Sequence, residues 1–449
     1  VPAVLAAASI VGPLACEDIV TEVSIGFLLP EDQTVLAPTN NVSITLTPDG
    51  FSESFSAQGP DFAVEIELEP DDVPRRLSVF MAQNDTLLGY GTTPPFSYSA
   101  ASGVDIKVFI TFPGTLTTYP MTFEVPDATT LAAPARGRGM VALGGDGSTV
   151  FVDAYTLQVL AAEPLVSARG LPDPADGTLF GNARGNVDRL MWNEGLSGFR
   201  FNILTNTWAE LELAGSVSFG VRPGAIPLGD DDGQRFHLLG GAERLDALSI
   251  DLNDAAQAVS TAAWTLDRPR PGATASWLRI GEREPEPIVF GSVDDDAAAI
   301  WLAGRGEAVG PVGRWTQGRC TQVDPSTADP VRVLCVGGMR DDVATPDALV
   351  LAIGTLGPAQ FEERVDFLPA PIAEPLWMSD DGAVYAQGDG RFVRVARDTL
   401  VADEPPATVF RARGGHAVSF DTTVTFLVGG VDADGLPVEK WQVFTPEIR

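Results

Sequence analysis

The sequence predicts an all-β chain in two parts, an N-terminal β-sandwich followed by a seven-bladed β-propeller, and three observations predict it. Short apolar runs that stop at glycine or a polar turn recur seven times after about residue 138, and their spacing of roughly 42 to 50 residues is that of four-stranded units that cannot bury their faces alone and must close radially. The mean period favours seven units over six or eight. Residues up to about 114 instead show short alternating strands with turn residues at intervals of roughly 8 to 12 positions, the pattern of a sandwich. With 449 residues and 45% hydrophobic content, the chain is long and apolar enough to bury a large core in two or three domains.

The first fifteen residues carry no charge, and Cys16 is followed at once by Glu17 and Asp18. Such a stretch is too short to span a bilayer and reads as the end of an export signal. Pro13-Leu14-Ala15-Cys16 resembles the bacterial lipobox, in which a small residue precedes a lipidated cysteine, although Leu14 stands one place from the usual position. The organisation expected is therefore a signal segment at 1–16 with Cys16 as lipid attachment point, a sandwich at 17–116 and a propeller at 117–449. The location expected is the cell envelope, as an outer-membrane or surface lipoprotein, with a periplasmic or secreted protein as the alternative.

In the first part, alternation marks Val42-Ser43-Ile44-Thr45-Leu46-Thr47, Phe62 to Leu68 and Asp105 to Ile110, punctuated by Pro48-Asp49-Gly50, Pro70-Asp71-Asp72 and Pro94-Pro95. The pattern is similar to the immunoglobulin-like and carboxypeptidase-regulatory-like modules found at the N-termini of bacterial surface proteins. In the second part the copies are Val141 to Gly145, Leu190 to Trp192, Leu238 to Gly241, Ile288 to Gly291, Leu334 to Gly338, Val384 to Gly388 and Phe426 to Gly430. Arg222-Pro223-Gly224-Ala225, Arg270-Pro271-Gly272-Ala273 and Arg413-Gly414-Gly415-His416-Ala417 precede three of them, Gly-Gly doublets close four, and Phe201 to Trp208 ends in Thr205-Asn206-Thr207-Trp208. This set resembles the kelch family of propellers over about 310 residues. The resemblance implies an Arg or His before each first strand and a glycine doublet after each second. The first copy has little room for an innermost strand before Val141, and the last copy ends soon after Trp441-Gln442-Val443-Phe444. Met121-Thr122-Phe123-Glu124-Val125 is expected to complete that last blade, since an unfinished blade would leave an open edge.

A net charge of −32, with lysine only at Lys107 and Lys440, excludes nucleic acid and anionic membrane surfaces as partners, because both require clustered cations. Contact with a membrane is expected only through the lipid anchor. Cys320 and Cys335 flank a Pro- and Asp-rich turn centred near Thr327 and Ala328, so a regular hairpin sets them opposite each other and within reach of a disulfide. Closing a loop of that size stabilises by roughly 3 kcal/mol in the chain-entropy model.

Catalytic signatures are absent from the sequence: no nucleophile elbow, no phosphate-binding loop, and only two histidines, His237 and His416, in different repeats. His237 reads as a hydrogen-bonded strand residue, and His416 fills a position that the kelch resemblance makes structural. No cofactor is expected. The acidic turns Asp230-Asp231-Asp232, Asp294-Asp295-Asp296 and Asp432-Ala433-Asp434 offer calcium-type ligands, and they equally suit ordinary tight turns. Arg136, Arg138, Arg222, Arg270, Arg319 and Arg413 fall near first-strand starts. Of these, Arg222, Arg270, Arg319 and Arg413 are the candidate ligand face, with salt bridges between blades as the alternative. The expected function is binding or scaffolding of a protein or glycan at the envelope. The competing expectation is a glycan-cleaving enzyme with carboxylates at the channel rim.

Overall fold

A computed structural model describes residues 21–59, 64–68, 72–97, 104–122, 129–166, 177–215, 220–241, 243–253, 257–379, 383–388, 390–404, 415–419, 424–431 and 434–446. Residues 1–15, Cys16, Arg413, Asp432 and the stretch 123–125 lie outside them. The described chain is built of strands and turns with no helix, and so has no helix long and apolar enough to cross a membrane.

Two sheets form from the first part. One orders Val64–Leu68, Thr21–Leu28 and Ile106–Phe109, the last pair parallel. The other orders Phe51–Ser56, Asn41–Thr47, Arg76–Gln83 and Thr86–Thr92, all antiparallel. Alternation sends Val42, Ile44 and Leu46 to one face of their strand. They join Leu77, Val79 and Met81 from the next strand, and Ile25, Ile106 and Val108 from the other sheet, in a single apolar cluster.

Seven larger sheets follow among the described residues, six of four antiparallel strands and one of five. The first holds Thr129–Ala135, Gly139–Gly144, Thr149–Asp153 and Val159–Ala161, and the second Gly177–Gly181, Val187–Met191, Ser197–Asn202 and Thr207–Glu210. The third holds Ile226–Gly229, Arg235–Leu239, Asp246–Asp251 and Gln257–Thr265, with Leu213–Gly215 added parallel at its edge. The fourth holds Thr274–Leu278, Glu286–Phe290, Ala298–Leu302 and Glu307–Val312, and the fifth Arg319–Gln322, Val331–Val336, Ala348–Ile353 and Gln360–Arg364. Leu376–Ser379, Ala383–Gly388, Arg391–Ala396 and Ala402–Asp403 make the sixth. The seventh takes His416–Ser419, Thr425–Val428 and Lys440–Phe444 from the C-terminal end and Leu116–Thr122 from far upstream.

Each of the seven apolar runs lies on the second strand of its own sheet. Gly139–Gly144 and Ala383–Gly388 are buried along their whole length, because a sheet lies against both faces and leaves no solvent side to require alternation. First strands of successive sheets touch in sequence order; Phe180 lies against Gly229 between the second and third, and His416–Ser419 returns to Thr129–Ala135. The circuit is closed. The first sheet does have an innermost strand, Thr129–Ala135, contrary to the expectation of little room for one.

The strand that completes the seventh sheet starts five residues earlier than expected. Leu116 pairs with Phe444, Thr117 with Val443 and Thr118 with Gln442. Its two faces are both covered: Leu116 packs with Tyr385, Phe392 and Phe444, while Tyr119 packs with Phe109 and Trp441 on the other side. The Tyr119 hydroxyl donates to the Ile110 carbonyl at 2.6 Å, and burial pushes its pKa well above that of a free phenol.

That strand also fastens the N-terminal sheets to the ring. The Phe109 ring stands 4.4 Å from Tyr119, 5.1 Å from Phe426 and 5.7 Å from Trp441, centroid to centroid. Tyr155 of the first sheet donates its hydroxyl to Pro95 and Gly137 carbonyls, each at 3.0 Å, and Lys440 pairs with Glu31 at 2.7 Å. Cys320 and Cys335 pair in register on the first two strands of the fifth sheet and are joined by a disulfide.

Removing residues 1–113 and removing residues 1–126 delete the N-terminal sheets alike and differ only by the closing strand and the few residues after it. Thermal unfolding should show the longer deletion melting far lower than the shorter one, because it strips the outer partner from Lys440–Phe444; equal melting temperatures would contradict the role given to that strand.

Candidate functional site

The glycine doublets gather at one end of the ring, where first strands begin and second strands finish. Gly240 and Gly241 take φ of 66° and 100°, values that disfavour a side chain, and a Cβ on Gly241 would meet the Arg222 carbonyl at 2.7 Å. The arginines that open the repeats secure this end. Arg222 donates Nη1 to the Gly240 and Asp246 carbonyls, both at 2.9 Å, and Nη2 to the Asp246 carboxylate at 2.6 Å. Arg270 repeats the arrangement one sheet on, donating Nη1 to the Gly291 and Ala298 carbonyls at 2.9 Å and pairing with both oxygens of Asp267 at 2.8 and 3.0 Å. Burial raises the Asp267 pKa, but the hydrogen bonds and charge of Arg270, with the charge of Arg268, outweigh it and leave the group below the usual carboxylate range.

Arg222 and Arg270 are each 1% exposed, so the candidate ligand face is corrected at both: they tie turns together within their own sheets. Arg136 and Arg138 are displaced from that face as well, since they sit in the turn between the first and second strands, at the other end of the ring.

Arg319 is different because its register is different. Arg222 and Arg270 stand four residues before their first strands at Ile226 and Thr274; four residues before Arg319 stands Trp315. The Trp315 indole donates to the Gly337 carbonyl at 2.8 Å, the bond that arginine makes in the two preceding sheets. Arg319 is thereby released from the turn, opens its strand, and lines a cavity of about 810 Å³ on the ring axis together with Gln317, Met339, Glu374, Gln387 and His416. These come from loops and strand ends of the fifth, sixth and seventh sheets, and the Met339–Arg340 strand belongs to a small hairpin, through Val343–Ala344, that leans over the opening.

Within this cavity Gln317 Nε2 donates to Glu374 Oε1 at 3.3 Å. Arg319 is paired through its strand with Val336, but among the described residues its side chain has neither an ion pair nor a hydrogen bond. Arg319 is exposed at the cavity wall; partial desolvation by the neighbouring protein lowers its pKa below the usual arginine value, against the charge of Glu374. His416 lines the wall as the first residue of its strand, and Glu374 is the one carboxylate of the lining among the described residues.

The acidic turns are engaged by protein groups. Asp230 Oδ1 meets His237 Nε2 at 3.1 Å, Asp231 pairs with Arg279, Asp232 accepts the Gln234 amide at 3.0 Å, and Asp296 pairs with Arg268 at 2.6 Å. Among the described residues no group of three or more His, Cys, Asp or Glu side chains is placed to hold a metal ion.

No family model and no curated protein matches the chain. Solved structures do align with it. The Cps50 (Swd1) β-propeller domain from Myceliophteria thermophila is 9% identical, covering 72% of this chain and 99% of that one at a TM-score of 0.43. Sqt1 of Saccharomyces cerevisiae is 12% identical, covering 74% and 89% at 0.43. A protein of unknown function from Bacteroides thetaiotaomicron is 10% identical, covering 94% and 98% at 0.36. At these values the alignments assign nothing, and the fold rests on strand pairing.

Replacing Arg270 by Met should cost about 3 kcal/mol in chemical denaturation, the range for breaking a buried ion pair, whereas Arg319→Met should stay within about 0.5 kcal/mol of wild type. The Asp267 carboxylate contributes stability above its unfolded pKa and loses it as pH falls through its lower folded pKa, so the deficit of Asp267→Asn should shrink progressively in acid. A deficit independent of pH, or an Arg319 variant as unstable as the Arg270 one, would contradict this division of roles.

Proposed function

We propose that the protein is a binding module of the cell envelope: a lipid-anchored, seven-bladed kelch-like propeller at 117–449, preceded by an immunoglobulin-like sandwich at 17–116, that captures a ligand bearing a carboxylate in its axial cavity. The closed circuit of seven first strands and the completion of the seventh sheet by an upstream strand support the propeller. The two sheets sharing one apolar cluster support the sandwich.

The Arg319 side chain, without a partner among the described residues, is the observation that carries the function. An exposed guanidinium at a cavity wall offers an incoming carboxylate a planar fork that fits it with two parallel hydrogen bonds. The cavity falls within the size range of small-molecule sites, roughly 300 to 1,000 Å³. Glycan hydrolysis calls for two carboxyl groups about 5 to 10 Å apart; among the described residues the cavity lining supplies Glu374, and the exposed Arg319 guanidinium favours binding of an anion. The ligand group belongs to a protein or glycan partner at the envelope.

Citrate and glutarate serve as carboxylate probes at constant ionic strength. They should raise the melting temperature of wild type in proportion to RT ln(1 + [L]/Kd) and leave Arg319→Met unmoved. Equal shifts in both proteins would refute the cavity as an anion site. Metabolic labelling with a fatty acid should mark the wild type and not Cys16→Ala; an unlabelled wild type would remove the anchor from this reading.

A further inference from the structure

A second hollow, of about 390 Å³, opens between the third and fourth sheets at the end of the ring remote from the axial cavity. Three rings form its wall: His237 from a second strand, Trp264 from the fourth strand of the same sheet, and Trp277 from the first strand of the next. Their centroids are 5.0 to 5.5 Å apart and their planes cross at 66° to 82°. The Trp277 indole donates to the Gly229 carbonyl at 2.8 Å and His237 Nε2 is held by Asp230, so two of the three rings are fixed by hydrogen bonds. His237 is 4% exposed, and its Nδ1 has no hydrogen-bond partner among the described residues. A buried ring nitrogen without a partner is costly unless a hydroxyl or water satisfies it. Past Trp264 the groove continues into another hollow of about 260 Å³, which shares Trp264, Glu284 and Pro285 and ends at the Arg305–Glu286 pair.

We propose that this groove binds a neutral oligosaccharide, with one sugar ring on the Trp264 and Trp277 side and the next in the adjoining hollow. The two indoles offer broad apolar area at little cost in rotamer entropy, Trp277 being fixed by its hydrogen bond, and the C–H face of a pyranose matches them. The rim carries both acceptors, Asp232 and Glu284, and donors, Arg235 and Arg279, as a ring of hydroxyl groups requires. An organic cation would need ring faces disposed around an empty centre, and centroids this close leave none. An acidic sugar meets four carboxylates, Asp230, Asp231, Asp232 and Glu284, against two guanidinium groups. Two hollows on either side of one tryptophan favour a chain of sugars over a single unit.

The test is calorimetry and tryptophan fluorescence on the full chain with cellohexaose, laminarihexaose, mannohexaose and hexa-N-acetylchitohexaose, with their monosaccharides and choline as controls. At least one hexasaccharide should bind saturably, at least tenfold tighter than its monosaccharide, and Trp264→Ala should weaken it at least tenfold. Should that variant fail to fold, Glu284→Ala, which alters an exposed rim residue, should weaken binding severalfold. Arg319→Met should leave it unchanged, which separates this site from the axial cavity. Absence of binding to all four hexasaccharides, preference for choline, or undiminished affinity in a folded Trp264→Ala protein would overturn the proposal.

Discussion

Pairing between Leu116–Thr122 and Lys440–Phe444 is the contact on which the rest of the molecule depends. Seven sheets in a circuit bury their faces only while the circuit is closed, and a seventh sheet of three strands would present an unpaired edge and uncover Tyr385, Phe392 and Phe444 on one side and Trp441 on the other. The closing strand covers both faces at once. It also fixes the distance from the N-terminal sheets to the ring, since Tyr119 is bound to the Ile110 carbonyl and meets the Phe109 ring edge to face, while Phe109 in turn lies against Phe426 and Trp441.

Within the ring, position is set by carbonyl groups at the glycine doublets and by whichever side chain donates to them. Arg222, Arg270 and Trp315 do the same work in three successive sheets with two different chemistries. The substitution of an indole for a guanidinium in the fifth sheet frees no charge by itself. It makes arginine unnecessary at that position, while the arginine at the strand start is left to face the cavity.

The second strands were legible in sequence because a strand covered on both faces reads as a continuous apolar run, and no other kind of segment in this chain does so with such regularity. The first strand of the first sheet was not legible: Thr129–Ala135 is short-chained and contains Pro134, so neither alternation nor β-branching marks it beyond its opening threonines. The closing strand was placed five residues late for a similar reason, since Leu116-Thr117-Thr118-Tyr119 is buried on opposite faces by two different neighbours. The disulfide could be read from the symmetry of its turn. Among the arginines, sequence proximity to a strand start did not distinguish a group four residues before the strand from one at its first position, and that small offset separates a buried tie from a cavity wall. The groove at Trp264 and Trp277 was missed because its walls come from different sheets; His237 was read as a hydrogen-bonded strand residue, as its contact with Asp230 shows, but its aromatic neighbours lie 27 and 40 positions along the chain.

Thr118 and Gln442, which meet side chain to side chain in the closing pair, are 324 residues apart. A strand made before the other six sheets therefore waits, without its partner, until those sheets have been synthesised. Contacts of such separation form late and slowly because the loop they close must first be ordered. The six sheets built from local hairpins can assemble in turn from the N-terminal side, but the circuit itself is a single late event, and until it occurs the chain exposes two sheet edges that fit each other and fit the same edges of another copy equally well. The arrangement that closes the circuit in the finished molecule thus concentrates the hazard of intermolecular pairing into one interval late in its assembly.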